Sequence, residues 1–382
     1  MSTSPALEEK PVVGDQRKPS MWTSTLPYGQ AGAAGFPPFA VRIRWLASAM
    51  RILLVRLGAF GDIVHTLPLA HDLAQAGHEV HWLCEDRWAC LVDGSAAVAM
   101  VHRLPRAELR RASLTGKIAI VRRVLRSLRQ HDFDAAIDAQ GLAKSAIFSA
   151  FSGTNQVVGH ARPRARELSW LAHRIHVPAT AIHVIDQQRA LGLGLGVRAQ
   201  GGWHFPLPAW THEHLWANKW MEQNGLQQPW LLNVGAGWPT KVWPEARQAE
   251  FLARCRSQGR QVVVAWGSPA ERAVAERVST SARHGVLLPP TTIPELGAVL
   301  ARAGLVVSGD TGPLHLALAL GTPAVGLFGP VPAERNGPRG RRWRCLQAPG
   351  AAWERRDVSK VDMAAITAEA VESAALACLA DA

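Results

Sequence analysis

The stretch Leu305-Val306-Val307-Ser308-Gly309-Asp310-Thr311-Gly312-Pro313-Leu314-His315 decides the fold class. Leu305 to Ser308 is a short apolar run of the kind a buried parallel strand shows, and Leu314 to Leu320, dense in Leu and Ala, reads as a helix. The turn between them gathers Asp, Thr, Gly and His where the first amides of a helix have no partner inside it. Such an end attracts phosphate. Gly321-Thr322-Pro323 breaks the helix and Ala324 to Phe328 supplies another strand, which makes a β-turn-α-β unit. Parallel α/β sheets bind ligands at the carboxyl ends of such strands.

The alternation extends outward from this unit. Upstream lie a strand at Trp230 to Val234, a helix near Pro244 to Ser257, a strand at Gln261 to Trp266, a helix from Pro269 to Thr280 and a short strand at Val286 to Leu288. A separate series opens the ordered chain. It runs through a strand at Arg51 to Arg56, a glycine-bearing turn from Leu57 to Asp62, a helix from Ile63 to about Ala76 and a strand at Glu79 to Cys84. A basic helix at Lys117 to Arg129 follows, then a strand at Ala135 to Asp138 and a helix opened by Gln140-Gly141. Between the two series, Gly192 to Gly196 and Ala199 to Pro208 have the composition of a linker. The pattern predicts an α/β chain with two Rossmann-like domains, 50–205 and 206–382, facing each other across a cleft. The Ala-rich segment from Met363 to Leu379 predicts a final helix that packs on the second half or crosses back to the first. Residues 1–49, rich in Pro, Gly, Ser and Ala and without periodicity, read as a disordered tail or as an extension upstream of a start at Met50.

Composition narrows the function. A chain of 382 residues is long enough for two cores, and no apolar run approaches the ~18–20 residues of a membrane span. Five cysteines without C-x-x-C spacing argue against a disulfide framework and a structural zinc site, and fit a reducing cytoplasm. The net charge of +12 leaves nucleic acid, an anionic membrane surface or a polyanionic small substrate as partners. Since the arginines from Arg103 to Arg129 and from Arg162 to Arg174 sit in no nucleic-acid-binding motif, nucleic acid is set aside.

Four motifs in order then carry a resemblance. Met50 to Pro68 (with Gly58, Gly61, Asp62, His65 and Thr66), Gly235 to Pro244 (with Thr240 and Lys241), Trp266-Gly267 with Glu271, and Gly309 to His315 through Gly329-Pro330 are together similar to glycosyltransferase family 9, the heptosyltransferases. The likeness covers roughly Met50 to Ala380, and its amino-terminal turn looks more like heptosyltransferase I than II. The resemblance implies a GT-B fold, an acceptor site in the first domain and a donor site for an ADP-heptose in the second.

Asp62 suits the base that takes a proton from the attacking hydroxyl. Its bland reading is an N-cap that satisfies helix amides. Gly58 and Gly61 are expected to let an acceptor approach the backbone. Lys241, after a Gly-Ala-Gly turn, suits charge stabilisation on a leaving diphosphate; otherwise it is a surface lysine. Thr240 belongs to the same donor motif, and Thr311 and Gly312 would offer a hydroxyl and amides to phosphate. Asp310 is expected on sugar or ribose hydroxyls, Glu271 on ribose or at a plain helix start, and His315 on a phosphate or in the packing. On the acceptor side stand Arg56, Gly61, Lys144 and Arg164, the last within a run of Arg162, Arg164 and Arg166 that otherwise reads as a solvated face.

Asp132-Phe133-Asp134 spells a cation-binding D-x-D but precedes a strand with no metal role in the family. Gly192 to Gly196 reads as a helix end rather than a dinucleotide loop. Most of the fifteen tryptophans read as packing, with Trp238 and Trp243 possible donor-site neighbours. The expectation is an inverting, metal-independent and cofactor-free transfer of L-glycero-D-manno-heptose to the Kdo-lipid A core of lipopolysaccharide. The enzyme would be cytoplasmic, with peripheral contact to the inner membrane. The alternatives are another nucleotide-sugar or acceptor, or a non-catalytic polyanion-binding protein.

Overall fold

A computed structural model describes residues 49–352 and 361–381, so the expected tail, up to its last residue, lies outside the described residues. The first domain contains β1 (Arg51–Val55), α1 (Phe60–Gln75), β2 (Glu79–Glu85), β3 (Met100–Leu104), α2 (Arg106–Arg111), α3 (Leu114–Arg129), β4 (Ala135–Asp138), α4 (Ala143–Ala150), β5 (Val157–His160), β6 (Ile175–Val177) and α5 (Val184–Ala190). After α6 (Thr211–Gln223) come β7 (Trp230–Asn233), α7 (Glu245–Ser257), β8 (Val262–Ala265), α8 (Pro269–Ala282), β9 (Val286–Leu287), α9 (Ile293–Leu300) and β10 (Leu305–Gly309). The chain ends with α10 (Gly312–Ala319), β11 (Ala324–Phe328), α11 (Ala333–Asn336), β12 (Trp343–Gln347) and α12 (Ala368–Ala380).

Both sheets are six-stranded and parallel throughout, in the orders β3-β2-β1-β4-β5-β6 and β12-β11-β10-β7-β8-β9. Each is a doubly wound Rossmann arrangement whose strand order reverses once, between β1 and β4 and between β7 and β10. Ligand crevices form at these reversals, at the carboxyl ends of the strands. Strands buried on both faces explain the continuous apolar runs at Ile52 to Val55 and Leu305 to Val307.

The domains share an apolar core that passes from Leu67 and Leu69 on α1 to Leu314 and Leu316 on α10. Trp210, at the head of α6, pegs them together: its indole N–H donates to Cys90 O at 3.1 Å, and its ring lies against Gly297 of α9. Arg189 of α5 makes a buried bidentate ion pair with Asp72 of α1, at 2.7 and 2.9 Å, and also donates to Gln200 O. That pair fixes the segment between the domains to the first one.

Several expectations need adjusting. The helix after β4 starts at Ala143 rather than at Gln140-Gly141, because the Asp138 carboxylate accepts both of those N–H groups and holds them in a turn, with Gly141 at φ +68°. The terminal helix α12 packs on α7 and the β10–β12 edge of the second domain, not across the cleft. Trp243 is buried against Phe251 and donates to Ile366 O, so it is core, while Trp238 is exposed. Gly192 to Gly196 continues α5 as a 3-10 turn that ends at Gly196 with φ +81°. Asp134 accepts the Arg51 N–H at the amino-terminal end of the first sheet, away from both crevices.

Candidate active site

In the first domain, β1 delivers Arg56 and the turn into α1 delivers Asp62. Arg56 is buried and donates to Ala139 O beyond β4, while Gln140 accepts the Leu57 N–H, so the β1–β4 reversal locks this loop from both sides. Arg56 Nη2 lies 2.8 Å from Asp62 Oδ2, and the Ala59 N–H donates to the same oxygen at 3.2 Å. Asp62 is thus not the N-cap of α1, which is Ala59, but a first-turn residue whose carboxylate accepts the Ala59 N–H and pairs with Arg56, with its side chain 43% exposed. Desolvation pushes its carboxyl upward, but the Arg56 charge, the Ala59 N–H and the more distant Arg164 outweigh it and hold the group below its ordinary value.

Arg164 is the one arginine of its run that turns inward; Arg162 and Arg166 are exposed. Burial, and the charges of Arg56 and Arg335, pull its guanidinium down to about 10. Arg335 comes from α11 in the other domain. Arg56 and Arg164 thus bear on one carboxylate, with the Arg335 charge felt at Arg164, an excess of positive charge that suits an anionic ligand. His160, at the end of β5 beside Arg164, is buried with neither ring nitrogen hydrogen-bonded, and burial followed by the Arg164 charge pushes it down to about 3. Lys144 stands apart: it is half exposed and 3.9 Å from the buried Glu85 carboxylate, which Arg87 and Arg106 also contact.

In the second domain the β7–β10 reversal does the same work. Lys241, in a 3-10 turn from Pro239 to Lys241, directs its ammonium to the Asp310 carboxylate and, at 3.1 Å, to Asp310 O. Asp310 is buried and accepts also from His315 Nε2, at 3.2 Å, and from Asn336. Burial pushes its carboxyl up, but the His315 and Lys241 contacts more than reverse this, so it is anionic. Asp310 therefore holds Lys241, His315 and Asn336 together at the carboxyl end of β10. The Thr311 hydroxyl turns to Gly309 O and Ser308 Oγ, with Asn233 Nδ2 at 3.4 Å, and no side chain caps α10. The Thr240 hydroxyl is buried without a partner. Glu271, in the first turn of α8, accepts the Gly267 N–H at 2.7 Å and lies directly over Gly235.

The two halves meet through α1 and α10. A Cβ on Gly61 would lie 2.6 Å from the His315 ring, and one on Gly312 would lie 2.1 Å from the Phe60 ring. The space over Gly58 is filled by Trp88. Gly58 and Gly61 thus make room for the Trp88 and His315 side chains. His65 packs edge-on against His315 at 4.1 Å with neither nitrogen hydrogen-bonded, and burial lowers it well below its usual value, so it is neutral. His315 is the pivot, joining Asp310 in one domain to α1 of the other.

A consequence is testable. Gly312→Ala is expected to lower turnover at least about tenfold by driving α10 off Phe60, since a rigid backbone cannot absorb such an overlap. Phe60→Ala in the same chain should restore part of the loss. Initial rates of the single and double variants, with melting curves as a folding control, check it.

With this geometry in view, the similarities of the chain become informative. Residues 121–365 match the model of glycosyltransferase family 9 (heptosyltransferase). The chain belongs to glycosyltransferase family 9. It is a glycosyltransferase, and it is 35% identical over 300 residues to lipopolysaccharide heptosyltransferase 1 of Pseudomonas aeruginosa, a match that spans 76% of this chain and 82% of that one. The Escherichia coli K12 protein of the same name is 29% identical over 78% of this chain and 94% of its own. Among solved structures, E. coli heptosyltransferase WaaC with ADP-2-deoxy-2-fluoro heptose superposes with a TM-score of 0.68 at 27% identity, over 85% of this chain and 98% of that one. E. coli ADP-heptose lps heptosyltransferase II, at 21% identity and a TM-score of 0.67, shares the fold. The family 9 fold is GT-B, as the sequence motifs implied.

The contacts around the crevice include residues that sequence reasoning missed. Phe60, His160, Arg335 and Asn336 all line or clamp the crevice. The last two follow Gly329-Pro330 directly, so continuing that motif by six residues would have found them.

Proposed function

We propose that this chain transfers L-glycero-D-manno-heptose from ADP-heptose to the Kdo-lipid A inner core of lipopolysaccharide, with inversion and without a metal ion. The observation that carries the reading is the apposition of Asp62 and the Lys241–Asp310–His315 group across the α1–α10 contact. In this reading an acceptor hydroxyl loses its proton to Asp62 as its oxygen bonds to the anomeric carbon, and the anomeric carbon–oxygen bond to the diphosphate breaks. Attack from one side and departure from the other inverts the centre. The leaving ADP gathers negative charge at Lys241, the Thr240 hydroxyl and the open amides of α10, a role a cation fills in other transferases. Glu271, one loop further out, is assigned to the ribose.

Arg56 and Arg164 are assigned to the acceptor's acidic groups. An anion arriving there competes with Asp62 for Arg56 and releases the carboxylate as it is needed. Lys144 is assigned to the outer rim of the same subsite. Among the described residues no helix is long and apolar enough to cross a membrane, and the proposed location is the cytoplasm with peripheral contact to anionic lipid. The test is incubation with ADP-heptose and Kdo-lipid A in excess chelator. A single heptose mass increment, with the anomeric configuration opposite to the donor's, is expected. No product would remove the function, product only on adding a divalent cation would remove the metal-free mechanism, and product from another nucleotide-sugar alone would change the donor.

A further inference from the structure

Three imidazoles meet at the end of the first sheet away from the crevice, and the transfer reaction has no use for them. His81 lies in β2 and His102 in β3, where the parallel register pairs His102 with Leu83, so strand alternation puts both rings on one face. His131 joins them from the turn that follows α3, its N–H held by Leu128 O. The ring centroids are 4.8 to 5.3 Å apart, and one nitrogen from each ring lies within 4.8 Å of the other two. His81 and His102 are buried, His131 is half-buried, and Phe133 presents its ring edge-on to the first two.

The surroundings orient these rings. His81 Nε2 is 2.8 Å from Glu79 Oε1, and Glu79 is held in turn by Arg51 at 3.0 Å, whose Nη1 donates to His131 O at 2.8 Å. With Nε2 donating to a carboxylate, the lone pair of His81 sits on Nδ1, which faces His102 Nε2 at 3.0 Å. A carboxylate behind an imidazole, fixing its tautomer and sharpening its basicity, is the support that metal-ligating histidines carry.

We propose that His81, His102 and His131 bind a first-row divalent cation, zinc being the best fit, with water in the fourth position. Zinc–nitrogen bonds of about 2.0–2.1 Å in a tetrahedron set ligand nitrogens roughly 3.3 Å apart, a spacing that small ring rotations reach from the observed cluster. An all-imidazole set selects zinc, nickel or copper over magnesium or calcium. The ion ties β2, β3 and the α3–β4 turn together. It takes no part in transfer, because His81 lies four residues before Glu85, about 13 Å along β2 from the crevice end. The rival is a hydrogen-bonded chain from Glu79 through His81 to His102 with no ion.

The experiment uses full-length, untagged protein stripped with chelator. Zinc is titrated in competition with a chromophoric chelator, and cobalt is added separately to read its visible absorption. Expected are one tight equivalent per chain, an intense tetrahedral cobalt band and a melting temperature raised by zinc. His102→Phe and His131→Ala should each weaken zinc at least about 100-fold and abolish the band. His131→Ala, at the half-buried ligand, keeps the test alive where His102→Phe does not fold. Wild-type binding no tighter than that of His131→Ala, or an unchanged cobalt band in the variants, overturns the site.

Discussion

Asp62→Asn is expected to lower kcat by about 10³-fold while ADP-heptose binds nearly as before. The substitution keeps the shape and a side-chain oxygen for the Ala59 N–H, but it removes the basic oxygen, and general base catalysis contributes about 10²–10⁴ in rate. Stability should fall modestly, because the buried Arg56 loses its charged partner but keeps Ala139 O, and Asp62 itself is partly open to water. A parallel loss in kcat and kcat/KM, read by steady-state kinetics with donor affinity measured separately, identifies an interaction made only in the transition state. Normal turnover in Asp62→Asn would remove the base assignment.

The pH profile gives an independent reading of the same group. The base works ionised, so kcat/KM falls as pH drops through its free-enzyme value. Arg56 and the Ala59 N–H hold that value below the ordinary one for aspartate, so the acid limb lies below the usual aspartate range. Removing the Arg56 charge leaves the upward push of burial less opposed. Arg56→Gln should therefore move the acid limb to higher pH, in addition to weakening the acceptor.

Much of this arrangement is legible in the chain because its chemistry sits next to its strongest structural signals. β1, β7, β10 and β11 are central or near-central strands, buried on both faces, and their apolar runs locate the turns that carry Arg56, Lys241 and Asp310. The outer strands are harder to see. β3 carries His102 and Arg103, β12 carries Arg344, and β6 has three residues, so none shows a continuous apolar run. Single-residue roles depend on the partner domain, which no local pattern encodes. Gly61 and Gly312 look like ligand-facing glycines in sequence, yet each is needed because a ring from the opposite domain occupies the space where its Cβ would stand. The convergence of Lys241, His315 and Asn336 on Asp310 is likewise invisible in the sequence. The sequence order of motifs leads to the carboxyl ends of β1, β7 and β10, and only the contact between domains shows which side chains face each other.

Lys241→Met is expected to lower turnover about 10²–10³-fold and to cost about 3 kcal/mol of stability, and the two effects can be separated. The ammonium is only 15% exposed and its partner Asp310 only 3%, so removing it strands a buried carboxylate on His315 and Asn336. Adding Asp310→Asn to Lys241→Met removes the stranded charge and should recover most of the stability, because replacing both members of a buried pair is far less damaging than replacing one. Turnover should not recover. The double variant still lacks a cation for the departing diphosphate, and an aimed charge in a dry site is worth about 10²–10³ in rate. Denaturant melts and initial rates on the wild type, the two single variants and the double variant give the complete cycle. A double variant that regained turnover together with stability would show that Lys241 acts only through the fold. Recovery of stability without turnover would place its ammonium on the leaving group, with Asp310 as the residue that holds it there.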